Sequence, residues 1–121
     1  MKKASSLKDF NCKCGCKENG ILEHFFEAIL TVECLLPFKA TWTSGRRCEK
    51  HNKKVGGSPT SSHLKGLAAD GEYRTSEELG YLIRAIVIVC ISKNLPIRIG
   101  IYKGYIHWDV DRTKTKPCIW K

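Results

Sequence analysis

Two runs rich in strand-forming residues, Arg98-Ile99-Gly100-Ile101-Tyr102 and Tyr105-Ile106-His107-Trp108-Asp109-Val110, are separated only by Lys103-Gly104. A two-residue break containing glycine is the connection that joins antiparallel strands, so the spacing predicts a hairpin. Side chains alternate across a strand. Ile106, Trp108 and Val110 therefore share an apolar face that belongs against a core, while Tyr105, His107 and Asp109 share the other. With this loop His107 pairs across from Gly100, where the missing side chain clears space over the neighbouring strand for a metal or substrate. At this point a merely polar, exposed sheet face explains the same pattern.

The elements before the hairpin set its context. Ile21 to Leu36 carries apolar residues at near-helical spacing, with Asn19 as its N-cap and Pro37 as its stop. Thr41-Trp42-Thr43 reads as a short strand. Residues 45–62, rich in Gly, Ser, Lys and Asn, read as a long loop with room for a helical turn, and a loop of that length in a compact domain is usually functional. Thr75-x-x-Glu78 is a capping box that opens a helix through Ile91, stopped by Asn94 and Pro96. The order helix, strand, loop, strand, helix, hairpin predicts an α+β fold with a mostly antiparallel sheet and flanking helices. A chain of 121 residues has room for one core, so residues 1–121 are expected to form a single domain with 1–9 as a flexible tail.

The net charge of +9 concentrates anionic ligands. About half of the basic residues fall in the N-terminal tail, Arg46 to Lys54 and Arg112 to Lys121. Nucleic acid, anionic wall polymer and plain solubility all fit that charge. No recognised nucleic-acid motif accompanies it, so nucleic acid is not the expected partner. No stretch approaches the about 18 apolar residues of a membrane span. The longest candidate, Ala85 to Ile91, is closed by Arg84 and Lys93 and reads as buried helix. Met1-Lys2-Lys3 is not followed by an apolar run, so no signal peptide is expected, and synthesis and residence in the cytoplasm are. A monomer is expected.

Without an export signal the seven cysteines are expected as thiols. Cys34 and Cys90 fall in apolar helical stretches and are expected in the core. Cys12, Cys14, Cys16, Cys48 and Cys118 are not explained by packing. Cys12-x-Cys14-x-Cys16 is dense enough to suggest a second metal, with Cys48 and His51 as further ligands, and a packing or redox role stands beside that reading.

His63 and Asp70 lie seven residues apart. In a continuous helix they would be about 10.5 Å apart along the axis, and in a straight strand they would point to opposite faces. Convergence on one ion needs a bend, and Gly66 is where the chain makes it most cheaply. Leu67 to Asp70 would then be a strand that delivers Asp70 beside the hairpin. Two imidazoles and a carboxylate with an open fourth position form a catalytic rather than a structural zinc site.

Ser61-x-His63-x-x-Gly66-x-Ala68-x-Asp70 resembles the S-x-H-x-x-G-x-A-x-D motif of the zinc D-Ala-D-Ala carboxypeptidases, peptidase family M15, matching all five fixed positions. That family includes phage endolysins and shares a fold with the hedgehog signalling domain. Thr43-Ser44-Gly45-Arg46-Arg47 is similar to the family's T-S-G-x-R segment. His51-Asn52 with Val55-Gly56-Gly57 resembles the H-N-x-x-V-G-G stretch of its small members, and Ile106-His107-Trp108-Asp109 resembles their closing I-H-x-D strand. A cysteine-bearing F-x-C-x-C-G opening like that at Phe10 also occurs there. The likeness runs from about Phe10 to Trp120.

The resemblance implies that His63, Asp70 and His107 hold Zn2+. It implies that Arg47 pairs with a substrate carboxylate, and that Ser61 positions substrate or braces its loop. It further implies hydrolysis of peptide bonds in bacterial peptidoglycan, by a carboxypeptidase or an endolysin-type endopeptidase. An enzyme of this size suits a phage and would reach the wall after release. Many members place an acidic general base three residues before the last zinc histidine. Gly104 stands there in this chain. Asp109 is the expected substitute, as base or as the partner that orients His107, with Tyr105, Glu72 and His51 as further candidates. Without a base the domain would bind zinc and wall peptide without cutting.

Overall fold

The computed structural model describes residues 4–14, 16 and 20–121. The elements follow in order as α1 (Glu23–Leu35), β1 (Trp42–Ser44), α2 (Glu49–Lys54), β2 (Ala68–Glu72), α3 (Ser76–Lys93), β3 (Arg98–Tyr102), β4 (Tyr105–Asp109) and β5 (Cys118–Trp120). Short 3-10 turns at Leu7–Phe10 and Ser62–Lys65 join them. The strands form one sheet in the order β1-β2-β4-β3-β5, antiparallel throughout except where β5 runs parallel to β3. The α+β expectation holds.

Apolar periodicity decides how the helices lie. Phe25, Ile29 and Val32 of α1 and Leu82, Ile86 and Val89 of α3 are buried together with Ile99, Ile106 and Trp108 of the sheet. Trp108 is fully buried, and the Phe25 ring meets it edge-on with ring centres 4.8 Å apart. Burying each large apolar side chain contributes roughly 1.5–3 kcal/mol, so this layer holds α1 and α3 to one face of the sheet. Truncating Trp108 would break it at its centre.

Helix ends show how local chemistry and tertiary contacts divide the work. Thr75 Oγ1 accepts from Glu78 N at 3.1 Å as expected, but the Glu78 carboxylate accepts from Arg74 N at 3.0 Å rather than from Thr75. Asn94 ends α3 in the left-handed conformation, φ 55°. α1 begins at Glu23 without a side-chain cap, and the expected cap Asn19 lies outside the described residues. Cys34 is exposed and not in the core, whereas Cys90 is buried. At 100° per residue Cys34 sits about 200° round from Val32, on the solvent side. Glu33 is buried instead, accepting from Trp42 Nε1 at 2.7 Å and from Ser5 N at 3.1 Å. Residues 4–9 of the expected tail thus include one that bonds to α1.

The loop 45–62 contains α2, six polar residues capped by Cys48, whose sulfur accepts from His51 N. A run Glu-Lys-His-Asn-Lys-Lys has no apolar period to announce a helix. β5 was not expected from the sequence either, because a three-residue strand carries almost no local signal.

Candidate metal centre

Register places the site. Ser44 of β1 pairs with Asp70 of β2, Asp70 with His107 of β4, His107 with Gly100 of β3, and Gly100 with Trp120 of β5. Paired residues project to the same face of a sheet, so this row crosses all five strands on the face away from α1 and α3. Gly66, φ 70°, makes the bend between His63 and Asp70. Ser61 caps the 3-10 turn that carries His63, its hydroxyl accepting from His63 N at 3.2 Å. Ser61 therefore braces the loop.

His63 Nε2 and His107 Nδ1 each lie 3.2 Å from Asp70 Oδ1, and the two imidazole centres are 5.1 Å apart. Four ligands around zinc at about 2.0–2.1 Å are separated by about 3.3 Å along each tetrahedral edge. The donor spacing fits that edge. The outward nitrogens are also committed. His63 Nδ1 donates to Gly45 O at 2.6 Å, and His107 Nε2 donates to Asp109 Oδ2 at 2.7 Å. Each imidazole is thereby fixed with its lone pair directed at the common centre. The donor set and its orientation fit a three-ligand zinc site with one open side.

That side faces a cavity of 360 Å³ lined by Arg47, Gly57, Ser61, Tyr105, Lys114 and Trp120, among others. Burial alone would raise the Asp70 carboxyl, but hydrogen bonds from His107 and His63 outweigh it and hold the group well below the usual carboxylate range. Burial likewise pulls His107 down, and Asp109 and Asp70 together push it above its ordinary value. The first shift follows from packing one carboxylate between two imidazoles, and the second from packing one imidazole between two carboxylates.

Arg47 reaches the other side of Asp70, Nη2 to Oδ2 at 3.5 Å, and donates through Nη1 to Asn52 Oδ1 at 3.2 Å. Asn52 is buried and donates to Ser58 O at 2.8 Å. A side chain at Gly57 would collide with Asn52, its Cβ only 2.1 Å from Oδ1. The Asn52 and Gly57 positions thus hold the guanidinium at the cavity wall. The Arg46 side chain lies instead beside Gly66, its Nη1 3.3 Å from where a Cβ would stand.

Asp109 stands behind His107, on the ring nitrogen opposite the metal centre. Its Oδ1 accepts from Arg98 Nε at 2.8 Å and from Asp111 N at 3.1 Å, and its Oδ2 from His107. With both oxygens occupied away from the open side, it is placed to orient His107 and not to take a proton from water beside the metal. Of the two roles expected for Asp109, catalytic base or partner that orients His107, this geometry fits the second. Of the other candidates, Tyr105 lines the cavity, whereas Glu72 and His51 do not. Burial, with the negative charge of Asp70 beside it, pushes the Tyr105 hydroxyl above its usual value, which suits a donor.

One participant, Arg98, escaped sequence reasoning, whereas Trp120 was open to reading as a groove lining or as a seal on the sheet. Arg98 holds Asp109, and Trp120 packs on Arg98 and His107, its indole 5.0 Å from the Arg98 guanidinium and 5.7 Å from the His107 ring. The space expected over Gly100 is filled by this indole, within 2.6 Å of where a Cβ would stand. A glycine opposite His107 was the available signal, and it pointed to a packed ring rather than to an open site.

No curated protein and no solved structure matches the chain. Residues 4–109, which include His63, Asp70 and His107, match the family described as Peptidase M15, and the chain belongs to that family.

Proposed function

We propose that the protein is a zinc-dependent peptidase that hydrolyses peptide bonds of bacterial peptidoglycan. The observation that carries this reading is the convergence of His63 Nε2, Asp70 Oδ1 and His107 Nδ1 at tetrahedral spacing on the floor of an open cavity. Bound there, zinc supplies a Lewis acid that polarises the scissile carbonyl and makes hydroxide available near pH 7. Arg47, held by Asn52, offers a planar fork to a substrate carboxylate, the group a stem peptide carries at its end where it is not cross-linked. Asp109 holds His107 in the tautomer that leaves Nδ1 free for the metal. Tyr105 is a positioned hydroxyl donor for the oxygen that gains charge in the transition state. The cationic lining from Arg47, Arg98 and Lys114 favours acidic substrate. Peptidoglycan peptide is therefore the partner we assign, met at the wall after release from the cell that makes the protein.

A second reading has its own observation. Among the described residues the only carboxylates lining the cavity are Asp70 and Asp109, one a ligand and the other committed to Arg98 and His107. A domain without a proton acceptor at the metal would bind wall peptide without cutting it. Mass spectrometry of purified peptidoglycan, digested with zinc, with chelator and with His107→Ala, separates the two. New stem-peptide or cross-bridge fragments confined to the zinc sample support the peptidase and identify the bond. Their absence from a folded, zinc-loaded sample leaves the binding domain.

A further inference from the structure

The active-site reading leaves the N-terminal cysteines without a role, yet the fold brings them together. Cys12, Cys14 and Cys16 come from the segment after the Leu7–Phe10 turn, and Cys48 from the residue that caps α2. The four sulfurs all lie within 4.8 Å of one another. Three separations are resolved individually: 3.4 Å for Cys12–Cys14, 3.7 Å for Cys12–Cys48 and 3.6 Å for Cys14–Cys48.

Those lengths discriminate between the things four cysteines can do. A disulfide needs sulfurs about 2.05 Å apart, and none of the three pairs approaches that. Four thiolates around zinc at about 2.3 Å are spaced about 3.8 Å along each tetrahedral edge. The observed separations sit just inside that edge. Backbone donors already point at the sulfurs, Cys48 N at Cys12 and His51 N at Cys48, each at 3.4 Å. Such donors stabilise thiolate charge and orient metal ligands. Cys12 is buried whereas Cys14 and Cys16 are exposed, which gives an ion a route in.

We propose that Cys12, Cys14, Cys16 and Cys48 form a second, structural zinc site, closed by four thiolates and separate from the cavity. Soft thiolate ligands in a tetrahedral set select zinc, and a site with four protein ligands leaves no position for substrate. His51 contributes its backbone N–H and not its ring. The site fastens the N-terminal segment to the loop 45–48. That loop supplies Gly45 O to His63 Nδ1 and carries Arg47, while Phe10 O receives Arg46 N. A metal at the cysteines therefore clamps the strand of chain that orients one catalytic-site ligand and the substrate-facing arginine. This inference does not depend on what the cavity binds.

The test uses the full chain with His63 and His107 both changed to alanine, which removes the cavity site and spares the cysteines. Purified from zinc-supplemented medium and desalted, this variant is expected to retain one zinc per chain by elemental analysis. Wild type is expected to hold two. Cobalt substitution of the same variant is expected to give an intense thiolate-to-cobalt charge-transfer band, which Cys14→Ser with Cys16→Ser in that background abolishes. Should the serine variant fail to fold, the cobalt spectrum of the histidine variant decides alone. A folded histidine variant with no metal and no charge-transfer band would overturn the proposal. So would iron in place of zinc, or a mass short of two hydrogens for each cysteine pair, which would mark disulfides.

Discussion

His107 Nε2 lies 2.7 Å from Asp109 Oδ2, on the side of the ring opposite the 3.2 Å contact between Nδ1 and Asp70. One carboxylate thus faces the metal position and another stands behind the ligand. Removing an orienting partner of this kind typically weakens metal binding 10–100-fold, roughly 1.4–2.7 kcal/mol. Asp109→Asn is expected to lower zinc affinity by that factor, read by competition with a chromophoric chelator, and saturating zinc is expected to restore activity. A variant that binds zinc as wild type does but cannot turn over would make Asp109 the base instead.

Gly100 and Gly80 are predicted to respond to alanine in opposite directions. At Gly100 the new Cβ would meet the Trp120 indole at 2.6 Å, so the ring must leave Arg98 and His107. The expected loss is about 1–3 kcal/mol in chemical denaturation, with red-shifted tryptophan emission as Trp120 enters water. Gly80 is exposed within α3 and has nothing within 4 Å of its Cβ position. There alanine is expected to add about 0.5–1 kcal/mol by helix propensity. Equal effects at both sites would refute the packing account.

What was legible in the sequence shares one property: it follows from neighbours along the chain. The hairpin register that sets His107 opposite Gly100, the bend at Gly66 and the Thr75 cap all rest on residues a few positions apart. The grouping of His63, Asp70 and His107 was legible because a motif resembling a known family names them together. Contacts between distant segments were not. The parallel pairing of β5 with β3 and the Arg98–Asp109 pair that occupies the supposed base depend on how the sheet closes. The Gly100 position shows the limit well. A glycine announces close approach but not by what, and the answer was an indole 20 residues away.

Asn52 should couple stability to substrate recognition. Its buried amide joins Arg47 to the Ser58 carbonyl, so Asn52→Ala removes both hydrogen bonds, leaving Arg47 its contact with Asp70 and Ser58 O its bond from Ser61 N. A cost of about 1–3 kcal/mol in unfolding is expected. Arg47→Lys keeps the charge and loses the fork. On the proposed reading, each is expected to raise KM for carboxylate-terminated stem peptides about tenfold, the equivalent of one charge-assisted hydrogen bond, with a smaller change in kcat. Unchanged KM in the arginine variant would remove Arg47 from substrate binding.

Asp111 supplies a pH-dependent part of the stability. It is buried beneath the His63 turn, where Oδ2 accepts from Ser62 Oγ at 2.9 Å and Lys65 Nζ at 3.0 Å, and Oδ1 from Thr113 N at 3.0 Å. Burial raises its carboxyl, and the hydrogen bonds from Thr113, Lys65 and Ser62 outweigh that and hold it well below the usual range. The folded state therefore binds this proton more weakly than the unfolded chain, whose aspartates titrate near pH 4. Its contribution is complete above about pH 4 and declines as pH falls towards the depressed folded value. Asp111→Asn places an amide among donors and is expected to cost about 2–3 kcal/mol at neutral pH. Urea unfolding of both proteins across acid pH is expected to show the difference narrowing as pH drops below about 4. A difference that stays constant into strong acid would mean that shape, and not charge, is what Asp111 contributes.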